Sequence, residues 1–251
     1  MGRVGAILVG IGLLCSAAQA TESLRFASLE WPPYVGARLP QDGLVGQRLH
    51  QAMARLGKQA QIDYYPWRRA LRLVQTDSPY VGYLPEYASP RLTKNFYCSD
   101  PLMPAPLGLA QRRDQPLIRW QRLLQLQPYR IGVVAGYVNT EDFDTLASAG
   151  LLHTDAANSD RNNLRKLAAG RIDLAVVDPL VFSYLLRHDP ELRPLASQLT
   201  MSPRLLEFKQ LVVCFRHTEQ GRQLRDGLNQ ALAKLAPSPM RMPQPPKPVE
   251  Q

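Results

Sequence analysis

The stretch LAAGRIDLAVVD, residues 167–178, decides the fold more than any other part of the sequence. Residues 160–169 carry apolar side chains at helical spacing, and Gly170 follows them as a helix stop signal. The apolar run that comes next predicts a buried strand, and residues 179–187 continue as a second helix. A strand enclosed by two helices is the repeating unit of a parallel sheet that is covered on both faces.

The same alternation extends to the N-terminal half of the chain. Pro32 and Pro33 end a first alternating strand, because proline cannot continue a hydrogen-bonded ladder. The pattern predicts, in order, a strand at 23–28, a loop at 31–34, a helix at 43–56, a strand at 59–65, a helix at 67–74 and a strand at 80–84.

A proline-rich segment at 104–116 lacks periodicity and predicts a crossover between two α/β units. The second unit is predicted to contain a strand at 129–136, helices at 140–149 and 160–169, a strand at 171–178 and a helix at 179–187. A strand at 209–215 and an amphipathic helix at 218–235 follow. The tail at 236–251 is too rich in proline to fold alone and is predicted to be disordered.

The first residues, MGRVGAILVGIGLLCSAAQA, have the pattern of a cleaved secretory signal. Arg3 precedes an apolar run at 4–14, and a small-x-small cleavage site ends at Ala20. The run is shorter than the ~20 residues that span a bilayer. Leu14 before Cys15 disfavours a lipid anchor, since lipidation uses a small residue there. We expect cleavage after Ala20 and a periplasmic protein of about 230 residues, enough for two lobes.

Composition narrows the classes of function. The formal charge of +9 does not predict nucleic-acid binding, because the arginines are spread along the chain and export removes that partner. The four histidines are scattered and the cysteines show no metal-site spacing, so neither a metal nor another cofactor is expected. Cys98 and Cys214 form an even pair in an oxidising compartment, either as a disulfide or as two small buried side chains.

The order of several segments resembles the extracytoplasmic solute-binding proteins of the polar amino-acid type, bacterial family 3. The segments are WPPY, YPWRRAL, SPRLTKNFYCSDPL, VAGY and LAAGRIDLAVVD, and the resemblance covers nearly the whole exported chain. It implies a two-lobe periplasmic-binding-protein-like (type II) α/β fold with two crossover hinge strands. Lobe 1 would comprise residues 21–104 and 207–235, and lobe 2 residues 105–206.

The resemblance also implies partners and a disulfide position. Such proteins are monomers that close on a small molecule and pass it to an ABC permease in the inner membrane or to a sensor. The family fold sets the strands of Cys98 and Cys214 near each other, so a bond between them would join the hinge region.

Ligands of this fold bind outside the C-terminal ends of the strands. The residues that we expect there are Trp31, Tyr34, Trp67, Tyr83, Glu86, Tyr87, Arg91, Gly136, Tyr137 and Asp178, with Tyr83, Glu86 and Tyr87 placed in the loop after the third strand. Several have alternative interpretations. Trp31 and Tyr34 also suit lobe packing, Gly136 a plain turn, and Asp178 a helix N-cap before Pro179.

One substitution bears on the ligand. In a gapless alignment, Leu92 occupies the position of the family's carboxylate-binding arginine, and Arg91 lies one residue earlier. One residue rotates a helix by about 100°, so Arg91 is expected to leave the cleft face. Leucine cannot grip a carboxylate as the guanidinium fork does, which argues against an ordinary α-amino acid as ligand.

Two classes of function remain. The first is a binding protein without catalytic residues that takes a small polar or charged ligand. The second is a cleft enzyme of the dehydratase kind, in which Glu86 and Asp178 exchange protons with a small carboxylic acid. No nucleophile motif favours the enzyme.

Overall fold

The computed structural model describes residues 22–76 and 79–236. The predicted signal at 1–20 and all but the first residue of the tail at 236–251 lie outside the described residues. Within the described ranges, no helix is long and apolar enough to cross a membrane.

The chain alternates strands and helices as the periodicity predicts. The strands are β1 (Glu22–Ser28), β2 (Lys58–Tyr64), β3 (Tyr80–Tyr87), β4 (Phe96–Cys98), β5 (Met103–Arg112), β6 (Arg130–Val134), β7 (His153–Ala157), β8 (Leu174–Val177) and β9 (Leu199–Arg216). The helices are α1 (Gly43–Arg55), α2 (Trp67–Gln75), α3 (Glu141–Ser148), α4 (Asp160–Ala168), α5 (Pro179–His188) and α6 (Glu219–Leu232).

The strands form one sheet with two parallel groups. β1 pairs in parallel with β2 and β3, and β6 pairs in parallel with β7 and β8. β5 and β9 run antiparallel between the two groups, which gives the order β2-β1-β3-β9-β5-β8-β6-β7. Each parallel group with its helices forms one lobe, and β5 and β9 are the two crossover strands. The two-lobe α/β fold is thereby confirmed, while the predicted residue limits of the lobes stay a prediction.

Each parallel group is closed by helices that bury one face. α1 packs Val45, Leu49 and Met53 into the first lobe, and α4 packs Leu164 and Leu167 into the second. This spacing is that of an amphipathic helix on a sheet.

Some boundaries differ from the predictions. β3 extends through Pro85, so Tyr83, Glu86 and Tyr87 lie in a strand and not in the loop that we expected. The pairing of β3 with β9 shifts register between Tyr83 and Glu86, and an irregularity of this kind tolerates a proline.

The proline-rich crossover is also more regular than predicted. β5 is an unbroken strand, and β8 pairs with it only from Gly108 onward, so Pro104 and Pro106 lie where β5 has a single described neighbour. β9 begins ten residues before the predicted strand at 209–215. β4 and β7 were not predicted.

The two cysteines form a disulfide. Cys98 and Cys214 are directly opposite each other in the ladder of β4 and β9. Cys214 is fully buried and Cys98 partly so. The bond joins β4 to the end of β9 that pairs with β3, so it lies within the first lobe, and the expectation that it joins the hinge region is wrong.

Candidate functional site

In the part of the chain that the structure describes, three direct hydrogen bonds join the two lobes where the C-terminal ends of their parallel strands face each other. Trp31 Nε1 donates to Asp160 Oδ2 at 3.1 Å, and Tyr34 Oη donates to Asp178 Oδ2 at 2.8 Å. Trp67 Nε1 donates to the carbonyl oxygen of Gly136 at 3.0 Å. All three donors belong to the first lobe and all three acceptors to the second. We call these bonds the interlobe latch.

The loop after β1 is held so that both its rings face the second lobe. Trp31 and Tyr34 stack with centroids 4.6 Å apart, and Trp31 pairs with Val35 across the turn. Val45 N donates to the carbonyl of Tyr34, which satisfies a free N–H at the start of α1. Gly43 has a φ of +88°, and a Cβ there would lie 2.7 Å from the Tyr34 carbonyl oxygen. A glycine is therefore required beneath this loop.

Asp178 has the N-cap role that the sequence analysis named as an alternative, and it also takes part in the latch. Its Oδ1 caps α5 by accepting from Leu180 N at 2.6 Å and Val181 N at 3.2 Å. Its Oδ2 accepts the latch bond from Tyr34. Burial raises the pKa of Asp178 to about 7, and the hydrogen bonds only partly oppose this. Burial also raises the pKa of Tyr34, so its hydroxyl remains a donor.

Asp160 is a site residue that the sequence analysis missed. It is the first residue of α4, is 5% exposed, and accepts from Trp31 and from Tyr137 Oη at 3.4 Å. Burial raises the pKa of its carboxyl to about 6. The sequence signal that could have identified Asp160 was the helix start at Ser159–Asp160. It was not placed at the sheet edge because β7, the strand before it, was not predicted.

Gly136 and Tyr137 form the matching edge of the second lobe. Gly136 has a φ of +88°, and a Cβ would approach Arg68 and Trp67 at 3.2 and 3.4 Å. Its carbonyl accepts the latch bond from Trp67, and its positive φ is that of a turn glycine. Tyr137 lies nearly perpendicular to Trp31 and Trp67, with centroids 6.4 and 6.2 Å away.

The N terminus of α3 is poorly suited to bind an anion. Thr140 Oγ1 accepts from Phe143 N, which caps the helix. The first turn carries Glu141, Asp142 and Asp144, which already oppose the positive end of the helix dipole. An anion there would be repelled by three carboxylates.

Glu86 lies on the first-lobe side of the cleft. It is 5% exposed, its Oε1 accepts from Tyr87 N at 2.8 Å, and its Oε2 is 3.5 Å from the Tyr83 hydroxyl. Burial raises its pKa to about 8, and Lys209 opposes this only weakly. Lys209 is itself buried, 3.7 Å from a Glu207 oxygen and 5.7 Å from the centroid of the Tyr87 ring.

The rings leave a small cavity of about 20 Å³ between the lobes. This is room for about one water molecule, and far below the roughly 300 Å³ at which drug-sized ligand pockets begin. The lining residues are Leu29, Trp31, Trp67, Pro85, Glu86, Tyr87, Tyr137, Val138 and Leu211. In this conformation the protein's own aromatic side chains leave only this small enclosed space between Trp31, Trp67, Tyr87 and Tyr137.

Arg91 lies outside this cavity, apart from the other residues that we expected at the ligand site. It is exposed and lines an open groove of about 800 Å³ together with Arg204, Lys209 and Glu141. Leu92, at the family's arginine position, is partly buried against the core. The groove and the cavity share Val138.

The structure thus gathers most of the predicted residues in one place. Trp31, Tyr34, Trp67, Glu86, Tyr87, Gly136, Tyr137 and Asp178 belong to the latch or the cavity, Tyr83 packs behind Trp67, and Arg91 faces the separate groove. Among the described residues, no cluster of histidine, cysteine and carboxylate side chains could hold a metal ion.

Comparison with known proteins places this geometry in a known fold. No protein-family model matches the chain, and no curated protein sequence matches it. Solved structures do match. A histidine kinase sensor domain with similarity to periplasmic binding proteins is 16% identical, with a TM-score of 0.71 over 85% of this chain and 90% of that one.

Two ligand-bound structures match over similar lengths. The GluR0 ligand-binding core from Nostoc punctiforme, solved with L-glutamate, is 16% identical, with a TM-score of 0.66 over 84% of this chain and 91% of that one. Holo ArgBP from T. maritima is 17% identical, with a TM-score of 0.68 over 84% of this chain and 89% of that one. Identities this low establish the fold alone: the chain has a two-lobe α/β fold like that of periplasmic binding proteins.

Proposed function

We propose that this protein is a periplasmic solute-binding protein that closes its two lobes on a small polar or charged ligand. The observation that carries the proposal is the interlobe latch, in which strand-end residues of both lobes meet through hydrogen bonds. The latch residues lie where ligands bind in open α/β sheets. The ligand would be presented to an ABC permease or to a sensor, and the chain would act as a monomer without a cofactor after cleavage at Ala20.

The inventory of polar groups makes an ordinary α-amino acid a poor candidate. The cleft contains three buried carboxyls, from Glu86, Asp160 and Asp178, but Leu92 replaces the arginine that would hold a ligand carboxylate. Lys209 is the one buried cation among the described residues near the cavity, and it already pairs with Glu207. The site therefore has more acidic than basic side chains.

A thermal-shift screen of the purified protein tests the binding function. The panel should hold amino acids, organic acids, polyamines and short peptides, and native mass spectrometry should look for a molecule that co-purifies. A binding protein is expected to gain several degrees of thermal stability with one class of compound and to release that compound unchanged.

The latch itself gives a prediction about conformation. Replacement of Trp31, Tyr34 and Trp67 by phenylalanine keeps three rings but removes the three donors, leaving two carboxylate oxygens and one carbonyl without their partners. Each lost bond costs about 1 kcal/mol, so the open form should gain population. Small-angle X-ray scattering should show a larger radius of gyration than for the unmodified protein. Tyr65→Phe, which removes a hydroxyl outside the latch, serves as the matched control. Equal radii for all three proteins would contradict a latch function.

One observation favours the enzyme as a second candidate. Glu86 and Asp178 are buried carboxyls whose pKa values are raised to about 8 and about 7, close to the values that general acids and bases need at neutral pH. If the cleft is catalytic, Glu86→Gln or Asp178→Asn should abolish turnover of a small carboxylic acid that the protein binds. A ligand that is recovered intact after long incubation with the unmodified protein favours the binding protein.

A further inference from the structure

Four aromatic rings, of Trp31, Trp67, Tyr87 and Tyr137, line the small cavity, and three pairs among them pack nearly at right angles. Trp31 and Tyr87 are 5.8 Å apart at 87°, and Trp31 and Tyr137 are 6.4 Å apart at 83°. Trp67 and Tyr137 are 6.2 Å apart at 88°. Because these ring planes point in different directions and all four residues line the cavity, a group inside it meets aromatic rings on more than one side. We call these four rings the cage.

Two polar groups at the cage have unused hydrogen-bonding capacity. The Tyr87 hydroxyl is buried and has no hydrogen-bond partner among the described residues, although Tyr87 lines the cavity. Glu86 also lines the cavity, and its Oε2 has only the 3.5 Å contact with Tyr83. A buried hydroxyl without a partner is costly, so its presence at a cavity indicates a bound group.

We infer that the cage binds the ammonium group of a small primary amine, with Glu86 as its counter-charge. A ring face attracts a cation through its quadrupole, and a desolvated carboxylate gives a charge-assisted hydrogen bond. The cavity of about 20 Å³ accepts an ammonium group, which is close to a water molecule in size, but no trimethylated one. This inference rests on the proposed binding function and names its class of ligand.

An exit for the rest of the ligand lies on the side of Trp31, Trp67 and Tyr137. These three rings also line an open groove of about 770 Å³. Asp160 lies at the boundary between that groove and the latch. An amine whose chain leaves through these rings would pass a second carboxyl, and a carboxylate ligand would meet like charge at both places.

The experiment compares three four-carbon compounds with different head groups: n-butylamine, n-butanol and butyrate. Calorimetric titration and thermal shift of the purified protein should detect n-butylamine and show much weaker effects of the other two. Glu86→Gln should weaken n-butylamine binding about tenfold, because the charge-assisted bond is lost. Glu141→Gln removes an exposed carboxylate that lines the separate groove of Arg91, so this matched control should leave the affinity unchanged. Tyr87→Phe should cost a few-fold in affinity while folding is retained.

The pH dependence separates a charge role of Glu86 from a structural one. Its pKa of about 8 means that an amine must displace a proton below that pH, so affinity should rise from pH 6 to 8 and then level off. The titratable or charged groups near Glu86 are Tyr83, Tyr87, Tyr137 and Lys209. The charges of Asp178 and Asp160 add to the effect of burial in raising the pKa of Tyr87. In Glu86→Gln the rise should disappear.

The outcomes distinguish this inference from the function on which it rests. If butyrate, n-butanol or another class in the wider panel binds better than n-butylamine, the amine inference is wrong and the binding function stands. The same holds if Glu86→Gln binds n-butylamine as tightly as the unmodified protein. If no class of compound binds and the latch variant does not open, both are wrong.

Discussion

Removal of the Cys98–Cys214 disulfide is expected to lower the free energy of unfolding by about 2–5 kcal/mol. The two cysteines are 116 residues apart in the sequence. The bond therefore closes a long loop in the unfolded chain and removes many of its conformations. In a chain of this length the change corresponds to a fall in Tm of roughly 5–15 °C.

The double variant Cys98→Ala/Cys214→Ala is the appropriate test, because alanine leaves no buried hydroxyl at the fully buried position 214. Thermal unfolding of the variant should match that of the unmodified protein treated with a reductant. Ala-substituted protein in reductant serves as the control and should show no further change. If alkylation without reduction modifies both cysteines, or if reductant leaves Tm unchanged, the bond does not stabilise the protein.

Most of the fold could be predicted from local patterns, and the exceptions have physical reasons. Helices such as α1 and α4 bury one stripe of apolar residues, so their periodicity is visible in the sequence. β7 has four exposed residues out of five and lies at the edge of the sheet, so it shows no apolar alternation. The continuation of β3 through Pro85 depends on irregular pairing with β9, a partner more than a hundred residues away.

The candidate site could be predicted residue by residue but not as an arrangement. Strand ends identified Trp31, Trp67 and Asp178, because chain order alone places them at one edge of the sheet. That Trp31 bonds to Asp160 and Tyr34 to Asp178 depends on how the lobes are oriented across β5 and β9. No local pattern encodes that orientation. Because β7 was not predicted, Asp160 was not recognised as a site residue.

The stability of the protein is expected to fall as the pH rises from about 5 to about 8. Burial raises the pKa of Asp160 to about 6, of Asp178 to about 7 and of Glu86 to about 8. In the unfolded chain these groups lose their protons near pH 4. Between the two sets of values the folded state binds more protons than the unfolded state, so the free energy of unfolding decreases with pH.

The size of this effect follows from the same linkage. Each unit of pKa displacement is worth about 1.4 kcal/mol, and three displaced groups together should change the free energy of unfolding by several kcal/mol across this range. The closed form should respond in the same direction, because opening the latch exposes the carboxyls of Asp160 and Asp178 to water. High pH is therefore expected to favour the open form in the absence of a cation that replaces the protons.

Amide variants isolate the contribution of these three carboxyls from that of the basic surface. Asp160→Asn, Asp178→Asn and Glu86→Gln keep the shape of each side chain but cannot ionise. Urea unfolding at pH 5, 6, 7 and 8 should show a wild-type stability that declines relative to the triple variant with each step. Asp63→Asn is the matched control: its pKa is lowered in the folded state by hydrogen bonds from Arg25, Tyr80 and Gln61. The difference in unfolding free energy between this variant and wild type should therefore change with pH only below pH 5. A difference between wild type and triple variant that stays constant from pH 5 to 8 would show that the three carboxyls are ionised in the folded protein.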